Sequence, residues 1–228
     1  MKRSNTMDGL GFGNLAALKQ RVAYHEAGHA TAIHINNRLK NLPPIFYKII
    51  FEKLEGSVNN IKLSGQIGDH KCIARTIGGL LIQSLPLAFD VLDCQAPACT
   101  DKSAFQFTDD YRLAFEADII NLLVGPLAEA KFSYQIDGEL FNHQLLTVQA
   151  LKTYGGDADL AVVDEYLQSY SADQNEQNEI LNRLFIQANN FVNDNANWKA
   201  ITRLVNYIHA SNKNIISCEE VAEVLDGK

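Results

Sequence analysis

His25-Glu26-Ala27-Gly28-His29 is an H-E-x-x-H sequence inside a run that reads as helix from Leu15 to Arg38. Residues i and i+4 lie on one face of an α-helix, a turn apart, so both imidazoles can reach one metal ion. Glu26 lies about 100° round the helix from His25, near enough to touch a water on that ion. Two neutral nitrogen ligands with a carboxylate beside them are the groups that zinc-assisted hydrolysis needs. The motif fixes only three positions, and a satisfied pair of core histidines is the plain alternative. Its neighbours Val22, Ala23, Ala27, Gly28, Ala30, Ala32 and Ile33 are small and apolar. Titratable groups in such a helix need partners, which favours a metal site over a solvated face.

Outward from this helix, Asn36, Asn37, Asn41 and Pro43-Pro44 are read as its end. Ile45-Phe46-Tyr47-Lys48-Ile49-Ile50-Phe51 has strand composition and is expected to offer an edge to an extended peptide. A second short strand is expected near Ile61. Cys72 to Leu85 reads as helix, and Pro86 to Thr108 as an irregular insertion or active-site flap. Tyr111 to Phe132 has helical spacing with a Gly125-Pro126 step, and Leu140 to Thr153 reads as a further helix. Gly155-Gly156 breaks the chain, with Asp157 as an N-cap of the next helix. Helices follow over 174–194, 197–210 and 217–226, the last opened by the capping-box pair Ser217 and Glu220. Residues 1–13 read as a flexible arm, and 14–228 as one mainly α domain with a small β element and a C-terminal helical bundle.

Composition narrows the function. The chain has 228 residues, 46% hydrophobic, and a net charge of −7 with no basic stretch, which argues against nucleic acid as a partner. No apolar window reaches the ~18 residues of a membrane span, and no secretory leader is seen, so a cytoplasmic address is expected. Cys72, Cys94, Cys99 and Cys218 form no C-x-x-C pair and read as reduced thiols.

A catalytic zinc usually takes a third protein ligand. Ala32 and Ile35 stand where the metzincin extension has Gly and His, and His34 is turned about 180° from His25. His70, His143 and His209 read as surface residues. Asp157 and Asp159, after the Gly-Gly break, and Glu129, alone in an apolar helix, are the better candidates. Spacing does not choose between Glu129 and Asp159.

Three segments in order resemble the peptidase domain of the FtsH family of zinc metalloproteases. They are Ala23-Tyr24-His25-Glu26-Ala27-Gly28-His29-Ala30, Leu122-Leu123-Val124-Gly125-Pro126-Leu127-Ala128-Glu129-Ala130 and Tyr154-Gly155-Gly156-Asp157-Ala158-Asp159-Leu160. The resemblance covers most of residues 15 to 226, discontinuously. It implies a zincin-like helical peptidase domain, with Zn2+ held by His25, His29 and Asp159 and Glu26 as catalytic base. Glu129 would accept a hydrogen bond from a liganding imidazole and fix its tautomer. The chain departs from the family pattern at Ala158, where the family has Asn, and at Ala130, where it has a second Glu. The gap from His29 to Asp159 (159 − 29 = 130 positions) is longer than the family's, and residues 45 to 108 have no counterpart. No G-x-x-x-x-G-K-[ST] occurs, so a free-standing peptidase domain is expected, served by a separate ATPase or adaptor partner and open to homo-oligomer formation. The expected substrate is unfolded or flexible polypeptide. The alternative is a metal-binding regulatory or scaffold module derived from a peptidase.

Overall fold

Two long helices carry the molecule. The computed structural model describes residues 12–51, 74–82, 102–141 and 146–227. Helix α1 runs Phe12–Leu39 and α2 runs Lys102–Ile136. Ala23, Tyr24, Ala27, Ala30, Ala32 and Ile33 of α1 are buried on several faces, as are Phe115, Ala117, Ile119, Ile120, Leu123, Val124, Leu127, Ala128 and Ala130 of α2. Helices apolar all round belong at the centre of a fold. They run antiparallel: His25 meets Glu129, while His29 meets Asn121.

The α1–α2 contact is close because its residues are small. A Cβ on Gly28 would lie 2.9 Å from the Ala128 Cβ and 2.9 Å from the Val124 carbonyl oxygen. Asn36 and Asn37 do not end α1. They are buried in its last turns, where Asn36 donates to the Asn121 side chain, which donates in turn to Asn37. The helix stops at Asn41, in the left-handed region at φ 53°. The amides of Asn41 and Leu42 return to the carbonyls of Arg38 and Asn37, a Schellman closure.

Three strands follow among the described residues: β1 Tyr47–Phe51, β2 Ala74–Gly78 and β3 Ile215–Ser217. β1 lies in the middle and pairs antiparallel with both others, Tyr47 opposite Gly78 and Ile49 opposite Ile216. Strand 45–51 was expected to present an edge. Both of its edges are taken; among the described residues β2 and β3 are the edge strands, and β2 is the one whose Thr76 meets Glu26 of α1. The sheet docks on α1 through the Tyr47 hydroxyl, which donates to the Ala30 carbonyl.

β2 also corrects the helix expected over Cys72 to Leu85. Thr76 and Ile77 are β-branched residues suited to a pleated strand. Gly78 and Gly79, at φ 85° and 86°, end it in a conformation L side chains rarely adopt. The chain is then anchored by Asp118, whose carboxylate accepts from the amides of Leu81 and Ile82 and from the Tyr166 hydroxyl.

The remaining described elements are helices. A 3-10 helix, Val148–Tyr154, replaces the longer helix expected over Leu140 to Thr153. Then come α3 Asp157–Tyr170, α4 Gln174–Asn193, α5 Asn195–Ser211 and α6 Cys218–Asp226. Gly156, not Asp157, is the N-cap of α3, and Asp157 is its first residue. Ser217 and Glu220 form the expected capping box. The three C-terminal helices do not form a core of their own. Leu184, Phe185, Ala188 and Val192 of α4 pack with α2, while Ile201, Leu204, Val205 and Ile208 of α5 pack with α1 and the sheet. The expected flap 86–108 is helical from Lys102, where α2 begins. Its remainder, with Ile61, His70, His143 and three of the cysteines, lies outside the described residues, as does most of the N-terminal arm. Phe12, inside that arm, already opens α1.

Candidate metal centre

The motif helix delivers His25 and His29 to α2 one turn apart, and α2 answers at matching intervals. Asn121, Gly125 and Glu129 are each four residues apart and share one ridge of that helix. The Asn121 carbonyl accepts from His29 Nδ1 at 2.9 Å. His25 Nδ1 donates to Glu129 Oε2 at 3.2 Å and lies 3.3 Å from the Tyr154 carbonyl oxygen. Gly125 supplies room for the His29 ring. A Cβ there would sit 2.2 Å from Nε2 and 2.3 Å from Cε1.

Asp159 arrives from the opposite side. The 3-10 helix ends at Gly155, in the left-handed region at φ 75°, and turns against His25. Helix α3 starts two residues later, placing Asp159 in its first turn, where a carboxylate is favoured by the helix dipole. Its Oδ2 lies 3.2 Å from His25 Nε2 and its Oδ1 3.3 Å from His29 Nε2. Both imidazoles are buried, and the Asp159 side chain keeps 15% of its exposure.

The donor set fits a metal ion. A carbonyl can only accept, so His29 Nδ1 carries a proton, and the Glu129 carboxylate asks the same of His25 Nδ1. In neutral imidazoles both Nε2 lone pairs then face carboxylate oxygens. Lone pair against lone pair is repulsive unless a proton or a cation lies between. A tetrahedral zinc with bonds of about 2.0–2.1 Å separates its ligand atoms by about 3.3–3.4 Å, close to the spacing found between Asp159 and each ring. The three residues offer ligand atoms within 4.8 Å of one another. In the metal-free state protons answer the same demand. Burial alone would lower the His25 pKa, but hydrogen bonds to Asp159 and Glu129 hold it well above its ordinary value. Burial would raise Asp159, but the His29 charge and the bonds from both rings hold it well below the usual carboxylate range.

Glu26 is buried beside this cluster, and its carboxylate accepts from the Thr76 hydroxyl at 2.7 Å. His34 is elsewhere, 3.0 Å from Asp226 Oδ1, where with Arg38 it ties the end of α6 to α1. His209 is exposed, and Cys218 is a free thiol at the start of α6. Asn121, Gly125 and Thr76 were not picked out as site residues from the sequence. Gly125-Pro126 was visible as an irregular step in a helix, and Thr76 was hidden by the helical reading of its segment. Among the described residues no helix is long and apolar enough to cross a membrane. Set against protein-family models, curated proteins and solved structures, the chain matches none.

Proposed function

We propose that this chain is a zinc-dependent endopeptidase of FtsH-like type that hydrolyses unfolded or flexible polypeptide. The observation that carries this reading is the convergence of two imidazole Nε2 atoms on one carboxylate, with both Nδ1 atoms already engaged. A buried Glu26 at the neighbouring position supports catalysis over a purely structural site, which has no use for a base.

His25, His29 and Asp159 would hold the ion, and Glu129 and the Asn121 carbonyl would fix the ring planes. Zinc bound there supplies Lewis acidity, which brings the pKa of a water toward ~7 and polarises a carbonyl. Glu26 takes a proton from the water that attacks the peptide carbonyl carbon and passes it to the leaving amine nitrogen. Of the two edge strands among the described residues, β2 is the one along which an extended substrate would pair, since its Thr76 meets Glu26. The substrate in this reading is a segment that reaches the site already unfolded.

Glu26→Gln is the direct test. Zinc content should stay at one per chain while chelator-sensitive casein hydrolysis falls by about 10²-fold or more. Hydrolysis that survives this change rejects Glu26 as base. A wild-type chain that binds zinc and cleaves nothing favours the scaffold module instead.

A further inference from the structure

We propose that Thr76 is a positioning residue that orients Glu26 for proton transfer, an inference that rests on the peptidase reading above. Glu26 sits on α1 and Thr76 on β2, 50 positions apart in sequence, joined by the 2.7 Å bond from Thr76 Oγ1 to Glu26 Oε2. That length is typical of a hydroxyl donating to an oxygen acceptor. Among the described residues it is the one side-chain hydrogen bond that Glu26 receives.

Three features mark the contact as more than the satisfaction of a buried acid. First, the position is fixed by sheet register. Thr76 is the central residue of β2, opposite the fully buried Ile49 of β1, so its side chain shares the sheet face turned to α1. Second, a β-branched side chain on a strand has a restricted χ1, which aims the hydroxyl. Third, a hydroxyl gives one neutral donor to one oxygen. It steers the carboxylate and leaves the second oxygen open to a water, whereas an Arg or Lys would pair with the charge and engage both oxygens. The base on α1 is thus tied by one hydrogen bond to the strand along which the substrate would lie. A peptide pairing with β2 is placed relative to the group that acts on it.

The test compares Thr76→Val, which keeps the shape and removes the donor, with Thr76→Ser, which keeps the donor. In the zinc-loaded chain, Val should lower kcat about tenfold or more while KM and zinc stoichiometry hold, because only part of the general-base contribution depends on orientation. Ser should restore most of that loss. In the zinc-free chain, the 13C signal of the Glu26 carboxyl, assigned by its disappearance in Glu26→Gln, should move in Val and return in Ser. If Thr76→Val does not fold, Thr76→Ala carries the same comparison. An active wild type whose Val variant keeps kcat within threefold overturns the inference and leaves the peptidase standing. So does a Val variant that loses zinc or raises KM alone, which marks a structural role. An inactive wild type removes both.

Discussion

Gly125→Ala puts one methyl group into the candidate metal centre and nothing else. The new Cβ would lie 2.2 Å from His29 Nε2, 2.3 Å from Cε1 and 2.6 Å from Cδ2. Ordinary contact between such atoms is about 3.5 Å, so the ring must retreat by more than an ångström. Metal–ligand distances tolerate about 0.2 Å. The His29 ligand is therefore lost, and zinc affinity should fall by more than the ~10²-fold typical of removing an outer hydrogen-bond partner. The fold should survive. Ala in a helix interior gains about 1 kcal/mol over Gly, against an overpacking cost of about 1–3 kcal/mol. Thermal unfolding with and without zinc reads both effects. At zinc 100-fold above the wild-type Kd, binding adds about 2.7 kcal/mol, which in a chain of this size raises Tm by about 5–11 °C. In the variant the same zinc sits at or below Kd and adds about 0.4 kcal/mol, a shift of about 1 °C. A Gly125→Ala chain whose Tm rises with zinc like wild type refutes the claim that His29 binds from the seat Gly125 provides.

Asp159→Asn should abolish tight zinc binding, while Glu129→Gln, which can still accept from His25 Nδ1, should weaken it by about 10- to 100-fold. The reverse ranking in a zinc competition assay would make Glu129 the ligand. Away from the site, burial pushes the Asp118 carboxyl up to about 6, against the pull of the Leu81 and Ile82 amides and the Tyr166 hydroxyl. A carboxyl raised in the folded state favours folding while protonated, so its share of stability is complete below about pH 4 and is lost as pH rises through about 6. The shift of about two units corresponds to about 3 kcal/mol. Wild type should lose about that much unfolding free energy relative to Asp118→Asn between pH 4 and 6.5 in urea titrations, and a flat difference would reject it.

The motif helix was legible because its chemistry is local. His25, Glu26 and His29 occupy adjacent turns, and helical periodicity alone places them together. The apolar stretch around Gly125-Pro126 read as helix for the same reason, although the first turns of α2 were taken for a flap. What lay beyond reading was the seating of one element on another. No spacing rule brings Asp159 to His25 across 134 positions (159 − 25 = 134). That pairing depends on the left-handed turn at Gly155 and on how α3 begins, and the sequence suggested it only through resemblance to a known helix and loop. Glu129 and Asp159 stay equivalent on paper because spacing does not choose between an acid alone in an apolar helix and one that follows a Gly-Gly break. The fold separates them by which ring nitrogen each one meets, Nδ1 for Glu129 and Nε2 for Asp159.

The β element shows a different limit. Ala74 to Ile82 is short and apolar enough to suit either period, and a pair of glycines inside a helical pattern was weaker punctuation than it proved to be. Misreading it hid Thr76. The order of the sheet was equally closed, because β3 has three residues and joins from the far end of the chain. That late strand is what makes β1 central, so among the described residues the free edges of the sheet belong to β2, beside Glu26, and to β3. The C-terminal helices therefore bear on the sheet at a distance: β3 lies between α5 and α6 in the chain and covers the edge of β1 that β2 does not. A chain cut before Ile215 would keep every residue of the metal cluster. It would also uncover the edge of β1 that β3 covers, so a peptide could pair on the central strand as well as on β2, the strand that meets the base.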